Sequence, residues 1–122
     1  MKKILIIDDN ALIINEVKDI LIMEGYQVLT APNALEGIEL AIQFKPHLII
    51  TDINMPKMDG YGLISILKTH AESRNIPIIV MSSYYSNEHV RKALLLEADL
   101  YLKKPCGVDE LIISADLLLR AA

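Results

Sequence analysis

The sequence of 122 residues has one cysteine, no tryptophan and no long apolar run. The single cysteine, Cys106, excludes an intrachain disulfide and a zinc site built from several cysteines. No apolar run approaches the roughly 20 residues that span a membrane. Asp8 and Asp9 interrupt the first apolar run, which argues against a signal peptide. We therefore expect a cytoplasmic protein that makes no contact with a membrane.

Basic residues are also few, with 12 Lys and Arg against 16 Asp and Glu and a formal net charge of -4. This balance argues against nucleic acid as a direct partner. His47, His70 and His89 are scattered without the spacing of metal ligands. The length predicts one domain, residues 1–122, with no room for a DNA-binding or enzymatic output domain. A domain excised from a longer protein is the alternative.

Short apolar runs alternate with segments of helical periodicity along the whole chain. The runs predict strands at 3–7, 26–31, 48–50, 78–81 and 100–102. The periodic segments predict helices from 11 to a cap at Gly25, from a cap at Asn33 to 44, at 60–71, from a cap at Ser86 to 96, and at 108–119. This alternation predicts an α/β fold, a parallel five-stranded sheet with helices on both faces.

Polar side chains follow four of the five predicted strands, in the motifs Asp8-Asp9, Asp52, Ser82-Ser83 and Lys103-Lys104-Pro105. In a doubly wound sheet with the first strand near the middle, these strand ends converge at one edge. Carboxylates gathered there repel each other by a few kcal/mol per pair at an effective dielectric constant of about 20. A cation or bound protons must therefore hold them together.

An all-oxygen cluster of this kind suits Mg²⁺. A hydroxyl and an ammonium group beside it would complete a site for a phosphoryl group carried on Asp52. Each residue alone has a simpler explanation, because Asp8 and Asp9 can cap a helix and Lys104 can be a solvated surface charge. Their common position at one edge of the sheet favours the functional interpretation.

The chain resembles the response regulator receiver domains of bacterial two-component signalling, in particular the single-domain, chemotaxis-regulator-like ones, over essentially its whole length. Four motifs carry the resemblance: Ile6-Ile7-Asp8-Asp9-Asn10, Ile50-Thr51-Asp52-Ile53-Asn54-Met55-Pro56 with Met58-Asp59-Gly60, Pro77-Ile78-Ile79-Val80-Met81-Ser82, and Tyr101-Leu102-Lys103-Lys104-Pro105. The resemblance implies a flavodoxin-like (βα)5 fold with strand order 2-1-3-4-5. It also implies a phosphoprotein that works in signal transduction.

By this resemblance, Asp52 is the phosphoacceptor and attacks a phosphohistidine. Asp8 and Asp9 match the acidic pair that binds Mg²⁺, with Asp9 a direct ligand and Asp8 acting largely through water. Asp52 also ligates the metal, and Asn54 offers its backbone carbonyl. Such a domain accepts a phosphoryl group and loses it by autodephosphorylation, but it is not otherwise expected to be an enzyme.

Three further roles are implied at the fourth and fifth strands. Ser82 matches the switch hydroxyl, Lys104 the lysine that contacts the phosphoryl oxygens, and Tyr101 the aromatic switch residue. In the family, the residues at the positions of Asn54 and Tyr84 tune the phosphoryl lifetime. Tyr84 either shields Asp52 from water or simply packs on the surface, and the sequence leaves both open.

The expected partners are a sensor histidine kinase or a histidine phosphotransfer protein, and a downstream protein target. The target is expected on the face formed by the fourth helix, fifth strand and fifth helix, where a homodimer is also possible. Leu94-Leu95-Leu96 and the last helix are unusually apolar, which is typical of an association surface. The chain departs from the family pattern at Glu97, where a glycine is usual, and at Cys106, for which we expect a small buried hydrophobe.

Two other functions remain as alternatives. A Mg²⁺-dependent aspartyl-phosphate phosphatase would also use Asp52 as nucleophile, but Asn54 stands where such enzymes commonly carry a second Asp. A flavin- or nucleotide-binding protein would need a Gly-, Ser- or Thr-rich loop after the first strand. Asp8 and Asp9 would repel a phosphate at that position.

Overall fold

The computed structural model describes residues 1–120, so the last two residues of the predicted domain lie outside the described part. The strands are β1 (Lys3–Ile7), β2 (Gln27–Ala31), β3 (Leu48–Thr51), β4 (Ile78–Ser82) and β5 (Leu100–Lys103). The helices are α1 (Ala11–Met23), α2 (Ala34–Phe44), α3 (Gly60–Thr69), α4 (Asn87–Leu95) and α5 (Val108–Arg120). Within this range, no helix combines the length and apolar character needed to cross a membrane.

All the strands pair in parallel, in the order β2-β1-β3-β4-β5. The predicted fold class and strand order are therefore confirmed. The boundaries differ only by one or two residues, since β4 runs on to Ser82, β5 runs on to Lys103 and α3 ends at Thr69. Because β1 lies between β2 and β3, the ends of β1, β3, β4 and β5 are neighbours at one edge.

The sheet separates two apolar cores, because alternate residues of a strand point to opposite faces. One core packs α2, α3 and α4 against the sheet through residues that include Leu5, Ile49, Val80, Leu63 and Ala93. The other packs α1 and α5 through residues that include Ile6, Ile50, Met81, Leu21 and Leu111. Strands buried on both faces explain why the central apolar runs do not alternate with polar residues.

Polar side chains fix the starts of four helices. The side-chain oxygens of Asn10, Asn33, Asp59 and Ser86 accept hydrogen bonds from backbone N–H groups in the first turns of α1, α2, α3 and α4. Such a cap replaces hydrogen bonds that the first turn of a helix cannot make internally. The caps predicted at Asn33 and Ser86 are thus confirmed.

Residues with positive φ end three helices, with Lys45 after α2 and the two others after α1 and α4. Gly25, with φ +92°, follows α1 and turns the chain towards β2. Glu97 has φ +74° after α4, at the position where the sequence departs from the family pattern. A residue other than glycine pays a steric cost in this left-handed region. The turn into β5 therefore keeps the geometry of a glycine turn without the glycine.

The loop from β3 to α3 needs a glycine at its end. The Gly60 amide donates a hydrogen bond to the Ile53 carbonyl at 2.8 Å. A Cβ atom on Gly60 would lie 2.3 Å from the carbonyl oxygen of Asp52 and 2.8 Å from the Cα of Ile53. Only glycine permits this approach without moving the backbone. Gly60 therefore fixes the loop that begins at Asp52.

Candidate functional site

Three carboxylates meet at the carboxyl edge of the sheet. The Asp8 amide donates to Ala31 O at 3.1 Å and the Asp52 amide donates to Ile7 O at 3.0 Å, so the strand ladder itself holds both residues. Carboxylate oxygens of Asp8, Asp9 and Asp52 lie within 4.8 Å of one another. Asp8 and Asp52 are buried and Asp9 is exposed. The structure thus brings together the acidic residues that the sequence predicts.

Lys104 lies against two of these carboxylates. Its Nζ atom is 2.7 Å from Asp8 Oδ2 and 3.4 Å from Asp52 Oδ2. The backbone of Lys104 is anchored as well, because its amide donates to Ser82 O at 2.9 Å. One ammonium group therefore offsets part of the charge of three carboxylates, and it bonds more closely to Asp8 than to Asp52.

The Asp52 carboxyl has a raised pKa, chiefly because burial disfavours its charged form. The negative charge of Asp8 acts in the same direction. Lys104 and the amide of Ile53, which donates to Asp52 Oδ1 at 2.7 Å, favour the charged form and oppose the shift. A cation that joined this cluster would lower the pKa of Asp52, because it would stabilise the carboxylate.

The donor set fits a hard divalent cation. It consists of oxygen atoms alone, from two buried carboxylates and an exposed one that faces water. Mg²⁺ prefers oxygen ligands and keeps several of its waters, so an open cluster of few carboxylates suits it. Asn54 lies in the loop that follows Asp52 and is exposed there.

A cavity of about 220 Å³ opens beside Asp52 and is lined by Asp52, Asn54, Ser82, Ser83 and Tyr84. Ser82 is fully buried, and its Oγ accepts a hydrogen bond from the Tyr84 amide at 3.1 Å. The Asn54 side-chain amide donates to the Tyr84 hydroxyl at 3.3 Å. The cavity therefore has the carboxylate of Asp52 on one side and the side chain of Tyr84 on another.

Tyr101 is connected to the loop that follows β4. Its hydroxyl donates a hydrogen bond to the backbone carbonyl of Tyr84, and its ring meets the ring of Tyr85 edge-on at 5.6 Å. The side chain is half-buried against the core that contains α4, and burial raises the pKa of its hydroxyl. Tyr101 therefore lies where a movement of the Ser82 loop would change its surroundings.

Cys106 lies outside this cluster. It is half-buried against the core that contains α1 and α5, and its thiol donates to Glu110 at 3.2 Å. Burial, assisted by the charge of Glu110, raises the pKa of the thiol to about 12. A thiol with such a pKa is not a nucleophile at neutral pH. Cys106 therefore differs from the predicted small buried hydrophobe, since it is only half-buried and its thiol has a polar partner.

Sequence reasoning missed two residues that connect to the cavity only through Tyr84, namely Tyr61 and His89. The Tyr61 hydroxyl is 2.7 Å from His89 Nδ1, and His89 in turn stacks at a tilt against Tyr84. The two residues are 28 positions apart, in different helices. No local sequence pattern links them, so only the tertiary structure reveals the contact.

Comparison with known proteins identifies one family. The family model described as "Response regulator receiver domain" matches residues 4–116. Among solved structures, the chemotaxis protein CheY4 of Vibrio cholerae superposes with a TM-score of 0.92 at 27% identity, covering 97% of this chain and 98% of that one.

The chain is also similar to curated proteins, some about twice its length and some of nearly its own length. The "DNA-binding dual master transcriptional regulator RpaA" of Synechocystis is 34% identical over 120 residues, which cover 98% of this chain and 50% of the relative. The "Polar-differentiation response regulator DivK" of Brucella anthropi is 29% identical over 111 residues, which cover 91% of this chain and 90% of the relative. The chain thus spans about half the length of RpaA and most of DivK.

Proposed function

The chain belongs to the family of response regulator receiver domains, and from that membership we propose that it accepts a phosphoryl group on Asp52 in a two-component or phosphorelay signalling system. One observation carries the assignment to Asp52. Its carboxylate is buried, opens onto a cavity of about 220 Å³ and shares an ammonium group with a second carboxylate. Among residues 1–120, no other carboxylate borders that cavity.

The transfer forms one bond and breaks another. An Oδ atom of Asp52 bonds to phosphorus as the bond from phosphorus to the histidine nitrogen of the donor breaks. The electron pair of that bond stays on the nitrogen, and the imidazole leaves. Such transfers depend mainly on positioning and charge neutralisation. Lys104, already beside Asp52, is suited to contact the phosphoryl oxygens once they arrive.

Asp8, Asp9, Asp52 and the backbone carbonyl of Asn54 would hold Mg²⁺. When bound, the metal supplies positive charge that neutralises the phosphoryl oxygens. The proximity of the three carboxylates supports their part in this site. Asp9 is exposed, and we propose it as a direct ligand of the metal. Asp8 already forms an ion pair with Lys104, and we propose that it acts on the metal largely through water.

Ser82 and Tyr101 are proposed to relay the phosphorylation. A phosphoryl group brings nearly two negative charges and strong acceptor oxygens, and the Ser82 hydroxyl is suited to donate to them. A movement of the Ser82 side chain towards them would also disturb the bond that its Oγ accepts from the Tyr84 amide. Because Tyr101 bonds to the carbonyl of Tyr84, a shift of this loop reaches the surface at β5.

The proposed donors are a sensor histidine kinase or a histidine phosphotransfer protein, and the proposed output is a protein bound on the surface formed by α4, β5 and α5. A homodimer through this surface is proposed as well. Receiver domains occur both alone and with further domains, as the coverage of DivK and RpaA illustrates. The proposed domain of 1–122 therefore acts by protein contact, by itself or as the receiver of a longer regulator.

Intact mass after incubation with acetyl phosphate tests the proposal. We expect the mass to rise by one phosphoryl group, with Mg²⁺ required, and we expect no rise for Asp52→Asn. The exposed Asp19 in α1 provides the matched control, and Asp19→Asn should gain the group like wild type. Phosphorylation that persists in Asp52→Asn, or no gain under any condition, would contradict the proposed chemistry.

A further inference from the structure

Tyr84 lines the Asp52 cavity, and a row of side chains continues from it into α4 and α3. On the cavity side, the Tyr84 hydroxyl accepts a hydrogen bond from the Asn54 amide at 3.3 Å. On the other side, the Tyr84 ring lies 5.7 Å from the His89 ring, tilted by 33°. The ring therefore has a neighbour on each side, although about half of its surface is exposed.

His89 is itself fixed by a buried residue of α3. The Tyr61 hydroxyl is 2.7 Å from His89 Nδ1, and the two rings are parallel within 3° with centroids 6.3 Å apart. Tyr61 is 8% exposed, and the Lys92 ammonium lies 4.3 Å from the centre of its ring. The His89 amide, in addition, donates to the capping hydroxyl of Ser86. His89 is thus held by both its backbone and its side chain.

We propose that His89, held by Tyr61, is a positioning residue that keeps the Tyr84 ring over the cavity and so slows the loss of the phosphoryl group from Asp52 to water. This inference rests on the proposed function, because it concerns the lifetime of the phosphorylated state. It assigns a role to two residues of α3 and α4 that do not touch the cavity themselves.

The chemistry explains why the position of Tyr84 matters. In hydrolysis, a water oxygen bonds to phosphorus, the bond from phosphorus to Asp52 breaks, and the carboxylate leaves with the electron pair while the water gives up a proton. Attacking and leaving oxygens are roughly in line in such reactions. Water must therefore approach from the side of the phosphoryl group away from Asp52, through a cavity whose remaining walls include Asn54 and Tyr84.

An exposed tyrosine without support would change rotamer on the picosecond to nanosecond scale and leave this approach open for part of the time. Contact with a fixed aromatic ring reduces that freedom, since paired rings attract each other beyond the effect of their burial. The His89 ring is available for this purpose because Tyr61 fixes its orientation. The contacts from Tyr61 to His89 and from His89 to Tyr84 thus restrict the motion of the Tyr84 side chain, which lies on a loop.

The dephosphorylation rate after removal of acetyl phosphate tests this inference. We expect Tyr84→Ala to lose the phosphoryl group at least about threefold faster than wild type, and His89→Ala to be faster as well. Tyr61→Phe keeps the buried ring but not the bond to His89, and should give a smaller increase. His89→Phe restores a flat ring beside Tyr84 and should return the rate towards wild type.

A double mutant separates positioning from general destabilisation. If His89 acts through Tyr84, adding His89→Ala to Tyr84→Ala should leave the rate of Tyr84→Ala unchanged, whereas independent effects would multiply. His70, an exposed histidine at the end of α3 whose ring bonds to Ile66 O, provides the control His70→Ala, with a wild-type rate expected. Thermal unfolding of each variant shows whether the fold is retained.

The outcomes distinguish this inference from the proposed function. A wild-type rate in His89→Ala, or effects of His89→Ala and Tyr84→Ala that multiply, would refute the positioning role while phosphorylation of Asp52 still stands. Failure of every variant and of wild type to gain a phosphoryl group would refute both. A faster rate in His89→Ala that disappears in the Tyr84→Ala background would establish the role.

Discussion

Asp52 combines a buried position with a charge that its surroundings only partly neutralise. Asp8 lies nearby with the same charge, and Lys104 shares its ammonium between the two carboxylates. Two like charges about 5 Å apart repel by about 3 kcal/mol at an effective dielectric constant of 20. Removing the Asp52 carboxylate therefore removes this repulsion from the folded state.

We predict that Asp52→Asn stabilises the fold at pH 7 in the absence of Mg²⁺. The raised pKa of Asp52 means that the folded state holds a proton more tightly than the unfolded state, whose carboxyl titrates near 3.8. The stability of wild type therefore falls as the pH rises above that value, and asparagine avoids this loss. We expect a gain on the order of 1 kcal/mol in the free energy of unfolding at pH 7, shrinking towards pH 4.

Urea unfolding of both proteins across this pH range measures the effect, with Asp19→Asn as the control for loss of an exposed carboxylate. Added Mg²⁺ should reverse the order, because it stabilises the wild-type site by binding only to the folded state. An Asp52→Asn protein that is less stable than wild type without Mg²⁺ would contradict this prediction.

At the scale of elements, the position of the site follows from the strand ends, and these were predictable. Four of the five strands are apolar runs followed by polar residues, so the apolar pattern and the parallel sheet that it predicts place Asp8, Asp52, Ser82-Ser83 and Lys103-Lys104 at one edge of the sheet. The choice of Ser82 and Lys104 within these pairs came from the resemblance to the family. The match to the family model then identifies the kind of domain.

The contacts between side chains of different elements were not predictable. That Lys104 bonds more closely to Asp8 than to Asp52 depends on rotamers, which carry no sequence pattern. The contact of His89 with Tyr61 depends on how α4 packs beside α3. The left-handed backbone conformation of Glu97 could not be predicted either, because residues other than glycine rarely adopt a positive φ. These side-chain contacts and this backbone conformation depend on tertiary packing. The hydrophobic periodicity of the sequence indicates only which face of a helix or strand is apolar.

The loop from β3 to α3 provides a prediction at this scale. Gly60→Ala would bring a methyl group against the backbone of Asp52 and Ile53, which cannot move aside as a flexible side chain can. We expect a loss of about 1–3 kcal/mol in the free energy of unfolding. Gly107→Ala is the matched control, because a Cβ atom there meets nothing within 4 Å and should change stability by less than about 0.5 kcal/mol.

Urea unfolding of the two alanine variants measures the difference. Because the displaced atom would be the carbonyl of Asp52, Gly60→Ala should also slow phosphorylation by acetyl phosphate, whereas Gly107→Ala should not. Equal stability of the two variants would mean that the loop has room to relax, and that Gly60 does not fix the position of Asp52.

At the scale of the whole molecule, the helices on either side of β5 leave apolar side chains in water. The exposed ones are Leu94 and Leu95 of α4 and Val108, Ile113 and Leu117 of α5. Clustered exposed apolar residues mark association surfaces more often than isolated ones do. They lie on α4 and α5, the two helices of the surface that we propose for output.

We predict that phosphorylation promotes self-association through this surface. Sedimentation velocity with acetyl phosphate and Mg²⁺ should show a larger species than without them, and Leu95→Glu or Leu117→Glu should weaken it at least about tenfold, since each places a charge in an apolar contact. Met23→Glu, at an exposed position at the end of α1, is the control and should associate like wild type. If the phosphorylated wild type stays monomeric at every concentration, the prediction of self-association is wrong, and the surface is then expected to bind a different protein.

The central place of β1 fixes the side of the sheet on which each later strand lies. In the finished sheet, β2 pairs with one side of β1 and β3 with the other side, β4 pairs with β3, and β5 pairs with β4. Every strand after the second is therefore added to the same open edge. Before β5 arrives, that edge is β4, whose residues are all buried in the finished fold.

A chain that pauses during synthesis before β5 thus exposes an apolar strand with unpaired N–H and C=O groups, to which a second nascent chain can add. β5 closes this opening with a strand that is half-buried and carries the exposed Lys103. A lysine on an edge strand discourages further pairing. The strand that brings Lys104 to the site is therefore also the one that covers the β4 edge of the sheet.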